Sequence, residues 1–213
     1  LRMHSGDHLT LFNGSGGEYD ATLVSVERNS TSTSINTYRP NNTESPLSIT
    51  LVQGISRGER MDYTLQKSIE LGVREIIPVF TEHSLVQLKN ERLIKKQHHW
   101  QAVVVSACEQ SGRAWVPKVQ TPISLVNYLR EHANISTGIL LDPEAKQGIA
   151  SIQEPESSIT LLVGPEGGLS PDEITTARNK GFTGVQLGPR ILRTETAAIA
   201  ACAVMQALWG DFR

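Results

Sequence analysis

Two segments near the carboxyl end combine glycine and proline with charged residues. The first is Val163-Gly164-Pro165-Glu166-Gly167-Gly168-Leu169. The second is Leu187-Gly188-Pro189-Arg190-Ile191-Leu192-Arg193-Thr194-Glu195-Thr196-Ala197. Glycine lets a ligand come close to main-chain N–H and C=O groups, and proline fixes the local backbone. A surface of that kind suits a flat, neutral, hydrogen-bonding group such as adenine. The same residue types would also serve two tight strand-to-helix turns with no ligand. Neither segment has the spacing of a dinucleotide fingerprint or a P-loop.

Both segments need elements to hold them. Each follows a short apolar stretch, 159–163 and 184–187, that reads as a buried strand. The first is followed by Ser170-Pro171-Asp172-Glu173, which has a cap residue, a proline at the first helical position and a glutamate three residues after the serine. That pattern starts a helix, expected to reach Lys180 and stop at Gly181. The second runs into an alanine-rich helix over 194–208. In open α/β sheets, ligands bind beyond the carboxyl ends of strands, where both loops fall.

The rest of the chain from residue 47 alternates in the same way. Strands are expected at 47–55, 75–80 and 138–141, and helices at 59–71, 90–110 and 125–131. Met61, Leu65 and Ile69 recur every four residues in the first of these helices, and Gly72 suits its end. Alternation of strand and helix argues an α/β domain. Residues 1–38 differ, with strands at 8–12, 19–26 and 34–38 and an Asn13-Gly14-Ser15-Gly16-Gly17 turn. The polar stretch Arg39 to Pro46 reads as a linker. The expected division is therefore a β-rich domain over 1–45 and an α/β domain over 46–213.

Composition narrows the function classes. The chain has 213 residues, 38% of them hydrophobic, enough for a packed core. It has no apolar run of about twenty residues, so no membrane association is expected. Its two cysteines, Cys108 and Cys202, are isolated in Ala/Val-rich stretches, which argues for core packing, a reducing cytoplasm and neither disulfide nor zinc. The six histidines form no metal pattern; His98 and His99 are neighbours and point to different helix faces. Net charge is −2. Residues 57–118 hold ten basic and seven acidic side chains, a mildly basic middle that could meet phosphates or be ordinary solvated surface.

The two loop strings closely resemble the SPOUT class of methyltransferases. Within it they are similar to the RsmE family, which methylates N3 of a uridine in 16S ribosomal RNA. Supporting stretches occur in the same order: Ser56-Arg57-Gly58-Glu59-Arg60-Met61, Gln66 to Val73, and Ala107 to Arg113. The resemblance implies an incomplete PUA-like, RNA-docking β-barrel over the first 45 residues. It implies a SPOUT catalytic domain after it, with a trefoil knot at its C-terminal part. It also implies S-adenosyl-L-methionine as cofactor, a homodimer, and 16S rRNA of the 30S ribosomal subunit, in the decoding region near its 3′ end, as partner. Family members begin some two dozen residues earlier, and this chain has no initiator Met, so a longer natural protein is expected.

On that resemblance Gly164, Glu166, Gly167, Leu187, Gly188, Ile191, Leu192 and Ala197 match cofactor-binding positions. Leu141, Val163, Pro165, Gly168, Arg193, Thr194 and Thr196 are further candidates. The methyl donor needs no metal. Removing the uridine N3 proton spreads negative charge over the ring carbonyls, so a nearby cation would help. Arg193 is the candidate, with an ion pair to Glu195 or Glu166 as its alternative. Glu166 and Glu195 both remain open as general base. Arg2, Arg57, Lys67 and Arg113 are candidate phosphate contacts, with an ordinary surface charge or an intramolecular ion pair as the alternative for Lys67 and Arg113. The rival readings are a ribose 2′-O methyltransferase acting on tRNA or 23S rRNA, and an RNA-binding module with a dead pocket.

Overall fold

A computed structural model describes residues 3–41, 43–86, 90–132 and 135–212. The chain divides into two compact units, one of residues 1–44 with 108–116 and one of 45–107 with 117–213. The sequence division at 45/46 left out the second part of the first unit. Residues 108–116 join it because Arg113 is 3% exposed and forms a bidentate pair with Glu44 at 2.6 and 2.8 Å. The Gly14–Ser15 turn also bridges to Trp115.

In the first unit, strands β1 (His8–Leu11), β2 (Glu18–Val26) and β3 (Thr31–Arg39) form one antiparallel sheet in that order. The turn joining β1 to β2 is held by Asn13, whose Oδ1 accepts from the amide of Ser15. Residues Ala21 and Leu23 alternate inward on β2 and are buried. β3 extends over nine residues, beyond the five expected, because its threonines and Ile35 pair along almost the whole of β2.

The second unit carries a parallel sheet. Its strands are β4 (Ser48–Gly54), β5 (Val73–Phe80), β6 (Lys118–Val119), β7 (Ile123–Ser124), β8 (Gly138–Leu141), β9 (Ser158–Val163) and β10 (Phe182–Val185). The order is β10-β8-β9-β4-β5-β6, with β7 also pairing with β5. β6 and β7 are two residues each, too short for a pattern to reveal them. β10 begins and ends two residues earlier than expected, its register set by pairing Phe182 with Gly138 and Val185 with Leu141.

Helices cover both faces. These are α1 (Glu59–Glu70), α2 (Asn90–Ser111), α3 (Leu125–Glu131), α4 (Pro171–Asn179) and α5 (Thr194–Trp209). Val52, Leu140 and Leu162 pack with Leu125, Leu129 and Ala177 of α3 and α4. By the two-residue period, Leu51, Ile139 and Leu161 point to the other face, and α1 packs there against α5. Each buried leucine or isoleucine contributes about 1.5–3 kcal/mol.

The capping box forms as the sequence expected. Ser170 Oγ accepts from the amide of Glu173, and Glu173 Oε2 accepts from the amide of Ser170. The other Glu173 oxygen accepts from the amide of Glu82 in the loop after β5. Replacing Ser170 by Ala should therefore lower unfolding free energy by about 1 kcal/mol, read as a lower urea midpoint with an unchanged slope. An unchanged midpoint would mean that the cap does not stabilise α4.

Candidate active site

β4 and β9 lie side by side and run parallel, with Gln53 opposite Val163 at their carboxyl ends. The chain leaves β4 through α1 toward β5, and leaves β9 through α4 toward β10 on the other flank. The connections diverge, so a crevice opens between the two strand ends. Loop 164–168 lines this crevice, and so does loop 187–193 arriving from β10. Together with residues 141–144 they enclose a cleft of about 1120 Å³. A smaller hollow of about 490 Å³, bordered by Thr50, Glu75 and Tyr128, lies at the other end of the strands.

Most of the expected cofactor residues meet here. Leu141, Val163, Gly164, Pro165, Glu166 and Gly168 line one side, and Leu187, Gly188, Ile191, Leu192, Arg193, Thr194 and Ala197 the other. Gly168 and Gly188 hold φ angles of 71° and 73°, where a side chain would be strained. Two expected residues are not on the wall. Gly167 packs outward, its carbonyl accepting from His83 Nδ1 at 3.0 Å, which places the ring proton on Nδ1. Thr196, between the cleft-lining Glu195 and Ala197, is exposed and turns away from the wall.

The carboxylates have unequal surroundings. Glu166 Oε1 accepts from the Arg57 amide at 2.9 Å and from the Arg60 guanidinium at 3.0 Å. Burial by itself would raise this carboxyl. The amide of Arg57, Glu166's own amide and the Arg60 charge outweigh that, and hold it below the ordinary carboxylate range. A depressed, hydrogen-bonded carboxylate is a poor proton acceptor. Glu166 therefore anchors its loop through Arg57 and Arg60, contacts that favour Glu195 of the two carboxylates the sequence left open. Glu195, also lining the cleft, keeps Oε2 buried with no hydrogen-bond partner.

The cations divide in the same way. Arg193 is exposed on the rim, at the cap position of α5, and among the described residues no ion pair joins it to Glu166 or Glu195. The sequence missed Arg60, Asp142 and Arg178. Asp142 is buried and pairs with Arg178 at 2.7 Å across the cleft wall, pinning residues 141–144 to α4. Nothing in a single sequence marks that pair. Two of the candidate phosphate contacts form the intramolecular ion pairs that were their alternative: Arg113, buried in the first unit, pairs with Glu44, and Lys67 pairs with Glu70 at 2.7 Å. Arg57 presents an exposed side chain, while Arg2 lies outside the described residues.

Both cysteines are buried, and burial pushes their thiols up, to about 11 for Cys108 and about 12 for Cys202, so neither is a nucleophile at neutral pH. Among the described residues no three His, Cys, Asp or Glu side chains converge as metal ligands, and no helix is long and apolar enough to cross a membrane.

A cleft of glycine-rich loops at the switch point of a parallel sheet is where such sheets bind their ligands, and named relatives of this chain are RNA methyltransferases. Residues 43–206 match the RNA methyltransferase domain family, and residues 1–32 match the RNA methyltransferase PUA domain family. A methyltransferase from Legionella pneumophila, solved with SAM bound, is 42% identical with a TM-score of 0.95 over all of this chain and 87% of its own. The ribosomal RNA small subunit methyltransferase E of Neisseria gonorrhoeae, solved bound to S-adenosyl methionine, is 43% identical with a TM-score of 0.92, over 100% and 88%. The enzyme of the same name from Buchnera aphidicola of Acyrthosiphon pisum is 35% identical, over 100% of this chain and 84% of its own. The chain belongs to the ribosomal RNA small subunit methyltransferase E family.

The Glu166 contacts give a signed pH prediction. Its carboxyl is lowered in the fold, so the stabilisation is present above the ordinary value of 4.5 and is lost as pH falls through the depressed value. Wild type should exceed Glu166→Gln by up to about 1 kcal/mol at pH 7, given a partly exposed pair. Denaturant titrations from pH 7 to pH 3 should show that gap closing below pH 4.5. A gap that widens on acidification would contradict the assigned contacts.

Proposed function

We propose that this protein transfers a methyl group from S-adenosyl-L-methionine to N3 of a uridine in 16S rRNA. The target would lie in the decoding region near the 3′ end, within the small ribosomal subunit. The observation that carries the reading is the meeting of loops 164–168 and 187–193 in one cleft, with Glu195 and Arg193 at its edge. Close relatives of the same family hold this cofactor. The cleft fits it. Its volume suits a nucleoside with an amino-acid tail, its walls mix backbone amides with Leu141, Leu187 and Leu192, and Glu195 brings an unmatched buried oxygen. Gly164, Gly168, Leu187, Gly188, Leu192 and Ala197 would hold it.

When bound, the cofactor supplies a methyl group on a positive sulfur, open to in-line displacement. The protein orients the nucleophile and manages the proton. Positioning of this kind supplies roughly 7–11 kcal/mol of a barrier. Glu195 takes the N3 proton. Among the described residues its Oε2 meets no donor, whereas Glu166 is committed to Arg57 and Arg60. Arg193, at the rim and in no ion pair among the described residues, faces the charge that spreads onto the ring carbonyls. Exposed Arg57 is a phosphate contact.

Three further features belong to this reading. The segment after β10 lines one cleft with 141–144 and 164–168, and Thr194 at the start of α5 bonds to Gln53 of β4 and to Gly164, contacts that support a trefoil knot. Val204, Leu208 and Phe212 expose apolar area on and after α5, which supports a homodimer. A ribosomal substrate supports a cytoplasmic location. Sedimentation at micromolar concentration should give twice the chain mass, and a monomer would remove the dimer.

The deciding experiment incubates wild type with small subunits lacking the modification and labelled cofactor, then digests the RNA for mass spectrometry. N3-methyluridine is expected; a 2′-O-methyl product would replace the assignment. Glu195→Gln should lower turnover by about 100-fold to 10,000-fold with cofactor affinity kept within threefold, an effect typical of a lost general base. Arg193→Ala should lower turnover by at least about tenfold, and full turnover would end its catalytic role.

A further inference from the structure

Gln53 lies at the carboxyl end of β4, where β4 and β9 part, and is 0% exposed. It belongs to neither loop. Its Nε2 donates to the Gly54 carbonyl and to Thr194 Oγ1, both at 3.0 Å. Thr194, 7% exposed, donates its hydroxyl proton to the Gly164 carbonyl at 2.7 Å. The amide of one strand end is thus joined to the first residue of α5, and through it to the first residue of the 164–168 loop.

The direction of this chain of bonds is fixed by counting protons. The carbonyls of Gly54 and Gly164 can only accept, and the Thr194 hydroxyl has one proton. That proton goes to Gly164. The amide nitrogen of Gln53 must then face Gly54 and Thr194, and both of its protons are used. Turning the amide round would set its oxygen against the Gly54 carbonyl, and drawing the Thr194 proton would leave Gly164 unbonded. In the fixed orientation Gln53 Oε1 is buried without a partner. An unmatched buried acceptor is unfavourable, and an apolar residue of similar size would avoid it. The two donations therefore offset that cost, and what they do is hold two separate chain segments in register.

We infer that Gln53 and Thr194 are positioning residues that clamp the two cofactor loops to each other, setting the width of the adenosyl cleft before ligand arrives. This rests on the cofactor reading above. The loops follow β9 and β10, which lie on the same side of the switch point with β8 between them, and among the described residues they share no backbone hydrogen bond, so this relay ties one to the other while the close fit of Gly54 against Pro165 seats the first loop on β4. A clamped cleft spends less ordering free energy when ligand binds. Neither Gln53 nor the role of the Thr194 hydroxyl belongs to any loop motif.

The test is calorimetric titration of S-adenosyl-L-methionine into the full chain. Wild type should bind. Thr194→Val, which keeps shape and loses the hydroxyl, should weaken binding about tenfold or more. Thr194→Ser, which keeps the hydroxyl, should stay within about threefold of wild type. Gln53→Met should weaken binding to a similar extent as Thr194→Val. The double variant Gln53→Met/Thr194→Val should be no weaker than the worse single one, because the relay acts as a unit. Wild-type binding with Thr194→Val within twofold, or with Val and Ser equally impaired, overturns the clamp, as does a double variant whose loss is the product of the two. Should Gln53→Met fail to fold, the Val and Ser pair decides alone. Absence of binding by wild type removes the cofactor reading and this inference together, so the two failures are distinguishable.

Discussion

Two parallel strands whose connections leave in opposite directions cannot close the space between their carboxyl ends. β4 and β9 stand in that relation, and the cleft exists because of it. The rest of the second unit serves this gap. α1 and α5 pack on one face, α3 and α4 on the other, and β8 and β10 extend the sheet so that loop 187–193 returns over it. The glycines at 164, 168 and 188 belong to the surface of the opening, and the apolar strands keep its floor rigid.

Charge pairing separates framework from chemistry. Asp142 with Arg178, Glu166 with Arg57 and Arg60, and Glu173 with Ser170 and Glu82 each tie one loop to another element. These groups are satisfied and have little left to offer a substrate. Among the described residues, polar atoms that remain uncommitted include those of Arg193 at the rim and Glu195 Oε2 in the cleft. A site that must move a proton and bear transient negative charge needs such uncommitted groups held by committed ones.

Much of the architecture was legible. The alternation of apolar strands with helices gave the α/β class, and the Ser170 to Glu173 capping box gave the start of α4 to the residue, because a cap is a local arrangement of four residues. Both loops were identified by their glycines and by their place after strands. The two-residue strands β6 and β7 escaped, since pairing with β5 and not any period defines them. The joining of 108–116 to the first unit escaped for a related reason: the Arg113–Glu44 pair spans 69 positions in the chain.

The amino-acid sequence by itself determined which residues could bind and react, because residue type, glycine content and local spacing are properties of short segments. It could not determine which of those residues are free to act. Glu166 and Glu195 look alike in a string of letters, as do Arg113 and Arg57. Only the tertiary structure separates their surroundings, by placing partners for Glu166 and Arg113 from segments 109 and 69 residues away and, among the described residues, none for Glu195 Oε2. Hydrogen bonds and ion pairs depend on distances of a few ångströms in space, and long-range folding alone sets those distances.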